Sequence, residues 1–257
     1  MERIYPSYYK TFVCIAGACP DSCCHEWDVQ VDAASAARYR SMEGPLGDAL
    51  REHLYDEEGE TYLRNVDGRC PMWRSDGLCR IQAEQGHDAL CTVCQQFPRL
   101  RHDYGDFEEL GLELSCPEAA RIILESPLEW MHEAVSGGEE PDYDAEIMEI
   151  LKESRPVALA LLETLGEPVW EEGICRMAQY AVCRHWYQAV SDWDLSCRVK
   201  MLLSGCALVA RLPGALVDRA QLWSKEIENS AENLNAILDG AYTRSALTDA
   251  NLLGLLA

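Results

Sequence analysis

Apolar residues in the second half of the chain recur at the three- and four-residue spacing of α-helices. Such stripes are typical of helices that bury one side against their neighbours. One stripe comprises Leu195, Val199, Leu202, Cys206 and Val209, and another comprises Val169, Ile174, Met177, Ala181, Val182, Trp186 and Trp193. Helical patterns also cover 144–165, with an interruption near Pro156, and 215–238. These patterns predict a bundle-like helical half, with its tryptophans in the core.

Patterns in the first half are shorter and less regular. Polar and apolar residues alternate briefly over 27–31, and Asp32 then stands where an N-cap would begin an Ala-rich helix through about Arg40. A second helix is predicted over 46–55, a strand over 61–66, and an extended or hairpin segment over 107–114. Between these elements lie loops rich in cysteine, glycine and proline.

Ser115 and Glu118 have the spacing of a capping box. This spacing predicts a helix through Leu124, with Cys116 in its first turn. A thiolate there is favoured by the free amide groups and the positive end of the helix dipole, which suits a metal ligand or a reactive thiol. A small buried apolar residue is the other interpretation of Cys116.

The fold class predicted from these patterns is mainly α. Residues 1–125 are expected to form an irregular cysteine-rich metal-binding lobe, and residues 126–257 a helical region with a bundle-like arrangement. A chain of 257 residues is long enough to build a sizeable core without disulfides.

Cysteine is concentrated in the first half of the chain. Of 13 cysteines, the N-terminal ones are Cys14, Cys19, Cys23, Cys24, Cys70, Cys79, Cys91, Cys94 and Cys116. The chain begins with polar residues and has no apolar run of 18, so we expect a cytoplasmic protein without a membrane span. In a reducing compartment clustered cysteines are more often metal ligands or redox groups than disulfides.

We predict that the metal ligands come from Cys19, Cys23, Cys24, Cys70, Cys79, Cys91, Cys94 and Cys116. Zinc sites often use two Cys-x2-Cys pairs, whereas iron-sulfur clusters use less regular spacings. Only Cys91 and Cys94 form such a pair here, which favours an iron-sulfur cluster and leaves zinc as the alternative. His25, His87 or His102 would complete a mixed site, although each is more often a surface histidine. The four C-terminal cysteines are expected in the helical core.

The formal net charge of −22 argues against nucleic acid and anionic membranes as partners, because both would repel the protein. A basic, lysine-bearing protein surface is a compatible partner. The sequence contains no glycine-rich phosphate loop, no Rossmann-type methyltransferase signature and no Cys-x3-Cys-x2-Cys. It therefore carries no established motif for binding S-adenosylmethionine.

Several motifs nevertheless resemble the flagellin lysine-N-methylase family, in the family's order across residues 5–124. The matching segments are Pro6 to Cys14, Cys19-Pro-Asp-Ser-Cys-Cys24, Trp27 to Asp32, Gly77 to Gln82, Leu90 to Arg99 and Leu114 to Arg121. The resemblance implies methyl transfer from S-adenosylmethionine to lysines of a flagellin-like protein, with a 4Fe-4S cluster held by cysteines. A broader similarity to cysteine-rich domains leaves a non-enzymatic iron- or zinc-chelating module as the alternative.

Four residues beside the expected ligands are candidates for the cofactor pocket: Trp27, Arg99, Glu118 and Arg121. An acidic protein with aromatic residues would first attract the ammonium of an acceptor lysine and then hold its stem. Their alternative roles are a core tryptophan, a capping-box glutamate and arginines in ordinary ion pairs. No catalytic residue is identified from the sequence.

Overall fold

The computed structural model describes residues 1–25, 27–165 and 170–254. In these residues the strands are β1 (Glu2–Pro6), β2 (Val29–Val31), β3 (Leu54–Glu57), β4 (Glu60–Leu63), β5 (Arg99–Asp103), β6 (Phe107–Leu112) and β7 (Trp130–Ala134). The α-helices are α1 (Ala33–Ser41), α2 (Gly44–His53), α3 (Arg80–Gln85), α4 (Thr92–Gln96), α5 (Pro117–Glu125), α6 (Ala145–Leu165), α7 (Glu172–His185), α8 (Leu195–Arg211), α9 (Leu216–Trp223), α10 (Ala231–Thr243) and α11 (Asp249–Leu253). The protein is predominantly helical, as the sequence predicts.

Packing divides the chain into two compact units. The inserted unit is Val13–Pro98, and the helical unit combines Met1–Phe12 with Arg99–Ala257. The domain boundary expected near residue 125 stays a prediction.

The inserted unit contains a three-stranded antiparallel sheet in the order β2-β4-β3. Val29 and Val31 of β2 are buried, and their alternation with polar residues is the pattern visible in the sequence. Leu50 of α2 and Met72 are buried in the same apolar cluster. The strand predicted over 61–66 is confirmed as β4, but it ends at Leu63. The second predicted helix is confirmed, but it ends at His53 because the chain enters β3 at Leu54.

Asp32 caps α1 as predicted. One carboxylate oxygen accepts a hydrogen bond from the Ser35 amide at 2.9 Å, and the other accepts from the amide and hydroxyl of Thr92, both at 2.9 Å. These hydrogen bonds, chiefly from the backbone amides of Thr92 and Ser35, lower the pKa of Asp32 well below its ordinary value. The same side chain therefore ties α1 to the start of α4.

The helical unit contains a four-stranded sheet in the order β5-β6-β1-β7. Strand β1 runs parallel to β6 and antiparallel to β7. Strand β6 confirms the extended segment predicted near 107–114. Glu108 on β6 is buried between the guanidinium groups of Arg3 and Arg101, and Glu109 pairs with buried Arg155 at 2.7–2.9 Å.

The core seam of α8 is confirmed, since Leu202, Cys206 and Val209 are buried. Helix α6 continues through Pro156, so the predicted interruption is wrong. Pro156 is exposed on that helix. Trp193 is 70% exposed, which corrects its assignment to the core. Val169 lies outside the described residues.

The predicted helix over 215–238 is two helices, α9 and α10, with a π-helical turn over Ser224–Glu228 between them. None of the helices within the described residues has both the length and the apolar composition needed to span a bilayer.

The predicted capping box at α5 is wrong. Pro117 occupies the first position of α5. Proline suits this position because the amide that it lacks would have no partner within the helix. Cys116 is therefore the N-cap residue rather than part of the first turn. The Ser115 hydroxyl donates to Glu113 at 2.9 Å, and Glu118 binds Arg121 instead of the backbone.

Candidate metal centre

Cys23, Cys24 and Cys70 form one group of thiols in the inserted unit. The Cys70 amide donates to the Cys24 carbonyl at 2.8 Å, which brings the two side chains together. Hydrogen bonds from the thiols of Cys23 and Cys70 lower the pKa of Cys24. The hydrogen bond to Cys24 in turn raises the pKa of Cys70. Such a pairing stabilises one thiolate, which is the form of cysteine that binds metals.

Cys91 and Cys94 form a second group at the start of α4. Cys91 is the N-cap of this helix, so three residues of chain bring Cys94 back beside it. A hydrogen bond from the Cys94 thiol lowers the pKa of Cys91 to about 7, despite the opposing effect of burial. The sequence predicted this pair from its Cys-x2-Cys spacing.

The two groups lie within electrostatic range of each other. Burial raises the pKa of the Cys79 thiol, and negative charge on Cys24 and Cys91 raises it further. The Cys94 pKa is raised first by its bond to Cys91 and by burial, and then also by charge on Cys23 and Cys24. The inserted unit thus gathers six thiols, which we call the thiol cluster: Cys23, Cys24, Cys70, Cys79, Cys91 and Cys94.

Cys19 is half-buried in a loop that packs against the turn before Cys79. A Cβ atom at Gly17 would lie 3.1 Å from the Asp76 carbonyl, and Gly77 has φ +79°, a conformation that favours glycine. The two glycines allow the loops to approach this closely. Cys116, the remaining predicted ligand, belongs to the helical unit, where it is buried at the start of α5.

The chemistry of this donor set fits a thiophilic metal or an iron-sulfur cluster, because thiolates are the preferred protein ligands of both. The arrangement of the described side chains does not yet form a metal site. Across 1–25, 27–165 and 170–254, no three or more His, Cys, Asp or Glu side chains are arranged as a group able to hold a metal ion. The thiols approach one another in hydrogen-bonded groups rather than as a formed cage.

The three histidines considered from the sequence occupy different environments. His25 follows Cys24, and its ring nitrogen Nε2 is buried without a hydrogen-bond partner among the described residues. His87 is in the same unit, but its side chain is 58% exposed. His102 belongs to the helical unit.

Of the four cofactor-pocket candidates, Trp27 lies in the inserted unit. Its side chain is 38% exposed, and its indole nitrogen donates to the Cys23 carbonyl at 2.9 Å. Its hydrogen bond therefore attaches an aromatic surface directly to the backbone of the thiol cluster.

Arg99, Glu118 and Arg121 lie in the helical unit. The Arg99 guanidinium stacks 5.0 Å from the centre of the Phe12 ring and donates to the Phe12 carbonyl at 3.3 Å. Arg121 binds Glu118 through two hydrogen bonds of 2.9 and 2.7 Å, and this contact lowers the pKa of Glu118. Both arginines are thus held in place by protein groups.

A cavity of about 30 Å³ lies in the helical unit, and sequence analysis gave no sign of it. This volume holds about one or two water molecules. Burial, assisted by the charges of Arg184 and His185, lowers the pKa of His102 to about 4, so this imidazole is neutral at neutral pH. None of the four cofactor candidates lines the cavity. Its lining residues are Pro6, Tyr8, Leu100, His102, Glu109, Leu110, Gly111, Leu112, Trp130, Tyr180, Cys183 and Arg184.

Fold and site together define a predominantly helical protein whose inserted unit carries a thiol cluster. The chain is 32% identical over 129 residues to lysine-N-methylases of Salmonella typhimurium and Salmonella choleraesuis, covering 48% of this chain and 32% of each relative. It is 31% identical over 129 residues to the flagellar biosynthetic protein FliU of Salmonella muenchen, covering 48% of this chain and 76% of FliU. No protein-family model and no solved structure matches the chain.

The chain belongs to the flagellin lysine-N-methylase family. The resemblance seen in the sequence motifs is therefore confirmed. The match spans about a third of the length of the two lysine-N-methylases.

Proposed function

We propose that this protein is a metal-dependent protein-lysine N-methyltransferase that uses S-adenosylmethionine and acts on a flagellin-type substrate. The observation that carries the proposal is the 129-residue similarity to proteins named lysine-N-methylase. The similarity to a flagellar biosynthetic protein supports the choice of substrate.

The proposed metal centre is a 4Fe-4S cluster, with zinc as the alternative, held by thiolates of the inserted unit. The ligands in the inserted unit are drawn from the thiol cluster together with Cys19, while Cys116, in the helical unit, stays a ligand predicted from the sequence. Because ligands of this kind must converge for the metal to bind, metal binding would also stabilise the fold of this unit.

S-adenosylmethionine, when bound, supplies the methyl group and leaves as S-adenosylhomocysteine. The binding residues that the sequence indicates are Trp27 in the inserted unit and Arg99, Glu118 and Arg121 in the helical unit. The exposed face of Trp27 suits a cationic ligand such as a sulfonium or an ammonium ion. Arg99 is already oriented by Phe12, so its binding to carboxylate or hydroxyl groups would require little further ordering. Arg121 donates to both Glu118 and Glu125, so it would exchange one of these contacts for the cofactor.

The methyl acceptor must be a neutral amine, whose lone pair forms the new C–N bond as the C–S bond of the donor breaks. A lysine with a pKa of about 10.4 is neutral in only about one molecule in several thousand at pH 7. The acceptor must therefore lose a proton to a base or to water before transfer. The net charge of −22 supports the encounter with a basic, lysine-bearing surface.

A non-enzymatic metal-chelating module is the second candidate. It is favoured by the limited match, which spans about a third of each lysine-N-methylase. In that case the metal would hold the loops of the inserted unit together and no methyl transfer would occur.

The experiment begins with anaerobic purification and joint measurement of iron, zinc and acid-labile sulfide. Transfer of labelled methyl groups from S-adenosylmethionine to flagellin of the same cell is then measured, and the acceptor lysines are located by mass spectrometry. The Cys91→Ser variant is expected to lose metal and activity. The matched variant Cys14→Ser, at an exposed thiol of the same unit, is expected to retain both.

Metal-replete protein that neither binds S-adenosylmethionine nor transfers methyl groups would refute the enzyme and favour the chelating module. Equal activity of metal-free protein would refute metal dependence.

A further inference from the structure

The imidazole of His25 has one ring nitrogen paired and the other buried without a partner. Nδ1 lies 3.2 Å from the Asp21 carboxylate oxygen Oδ1. Nε2 is shielded from solvent and forms no hydrogen bond within the described residues. A buried polar atom left without a partner costs about 1–3 kcal/mol. Nε2 therefore needs a binding partner that the described protein atoms do not supply.

The backbone brings His25 beside the residues that carry the first thiol group. It directly follows Cys24 and forms a β-bridge with Arg69, the residue before Cys70. The hydrogen bond of 2.8 Å from the Cys70 amide to the Cys24 carbonyl extends this contact by one residue. The imidazole thus belongs to the segment that carries Cys24, at the point where that segment pairs with the one that carries Cys70.

The carboxylate contact gives this histidine the environment of a metal ligand. Histidines that bind metals usually donate their second ring N–H to a carboxylate or carbonyl, which fixes the tautomer and the ring orientation. With Nδ1–H directed to Asp21, Nε2 carries the free lone pair. His87 provides the contrast, because its exposed ring lies 3.9 Å from Asp88 and has no buried unpartnered nitrogen.

We propose that His25 is a metal ligand through Nε2 and converts the thiol cluster into a mixed Cys/His centre. Asp21 is a positioning residue that holds the Nδ1–H. The ligand class is a thiophilic metal, zinc or the iron of a cluster. The assignment rests on the metal centre of the proposed function, but it concerns a different ligand from the cysteines named there.

The test is X-ray absorption spectroscopy at the K-edge of the metal found in the unmodified, metal-loaded protein. The expected spectrum contains a nitrogen shell with the outer-shell scattering of imidazole beside the sulfur shell. For zinc these shells lie at about 2.0–2.1 Å and about 2.3 Å. The His25→Cys variant should show sulfur alone, while His87→Ala should match the unmodified protein.

A second measurement follows metal release to a chelator. We expect His25→Ala to lose metal at least tenfold faster than the unmodified protein, and Asp21→Asn to weaken metal affinity by about tenfold or more. The unmodified protein provides the X-ray result even where a variant fails to fold.

A sulfur-only shell in the metal-loaded protein would overturn the His25 assignment and leave the metal-dependent function standing. An imidazole signal that persists in His25→Cys would overturn it in the same way. Purified protein without any metal would overturn both proposals, so the two failures are distinguishable.

Discussion

A buried carboxylate in the helical unit provides the sharpest test of how this fold is stabilised. Glu228 ends the π-helical turn after α9, and four side chains contact its carboxylate. Ser224 and Tyr180 donate at 2.6 and 2.9 Å, Arg184 donates at 3.2 Å, and His185 Nε2 lies 2.8 Å from the second oxygen. Burial alone would raise the pKa of Glu228, but the Arg184 charge and these hydrogen bonds lower it to about 2.

The perturbation is Glu228→Gln, which keeps the shape and removes the charge. A pKa lowered from 4.5 to about 2 corresponds to about 3 kcal/mol of preference for the charged carboxylate in the folded protein. Removal of one partner from a buried ion pair costs about 3–5 kcal/mol in general. We therefore expect the free energy of unfolding at pH 7 to fall by about 3 kcal/mol, which is a large part of a typical total of about 5–15 kcal/mol.

The pH dependence has a definite sign. Because the pKa of Glu228 is lower in the folded than in the unfolded protein, its stabilising effect is complete above about pH 4.5. It is lost as the pH falls from there toward about 2. The difference in unfolding free energy between the unmodified protein and Glu228→Gln should therefore shrink steadily over that interval.

The assay is urea-induced unfolding followed by far-ultraviolet circular dichroism at a series of pH values. Glu226→Gln is the matched control, since Glu226 is exposed on the same turn and should change stability by no more than about 0.5 kcal/mol. An equal unfolding midpoint for Glu228→Gln and the control at pH 7 would refute the reasoning. A difference that stays constant down to pH 3 would refute the assignment of the titrating group.

Three further predictions concern the inserted unit and the proposed protein substrate. Cys91→Ser should lower metal content and the thermal unfolding temperature, both measured against Cys14→Ser; unchanged metal would exclude Cys91 as a ligand. Asp32→Ala should lower the unfolding free energy by about 2 kcal/mol in urea titrations, because the α1 cap and the tie to α4 are both lost. Asp48→Ala, at an exposed ion pair, should cost less than about 1 kcal/mol, and equal losses would contradict the capping role. Association with flagellin should weaken as salt rises, because the Debye length shrinks from about 30 Å at 0.01 M to about 8 Å at 0.15 M; salt-independent binding would contradict electrostatic attraction.

Local chemistry explains which elements the sequence could predict. The cap at Asp32 and the alternation of Val29 and Val31 depend on residues close in the chain, and both are present in the structure. The same holds for the Cys91–Cys94 contact. Each of these features is determined within a few residues, so its pattern is visible without knowledge of the fold.

Long-range pairing explains what the sequence could not predict. Strands β1 and β7 pair although more than a hundred residues separate them in the sequence, with Tyr5 opposite Met131. Neither strand carries a strong pattern of its own. Glu108 and Glu109 have the polar character of surface residues, yet both are buried because arginines from distant segments neutralise them. The pairing of Asp21 with His25 is local, but the burial of the imidazole depends on the fold around it.

Asp32 also shows how the fold of the inserted unit and its thiols depend on each other. Its carboxylate caps α1 and binds Thr92, the residue that follows Cys91. Cys70 and Cys91 are themselves members of the buried apolar cluster that contains Leu50. A metal that draws these thiols together would therefore act on groups that already belong to the core. Because binding to the folded state alone adds to its stability, metal affinity and the stability of this unit should rise and fall together.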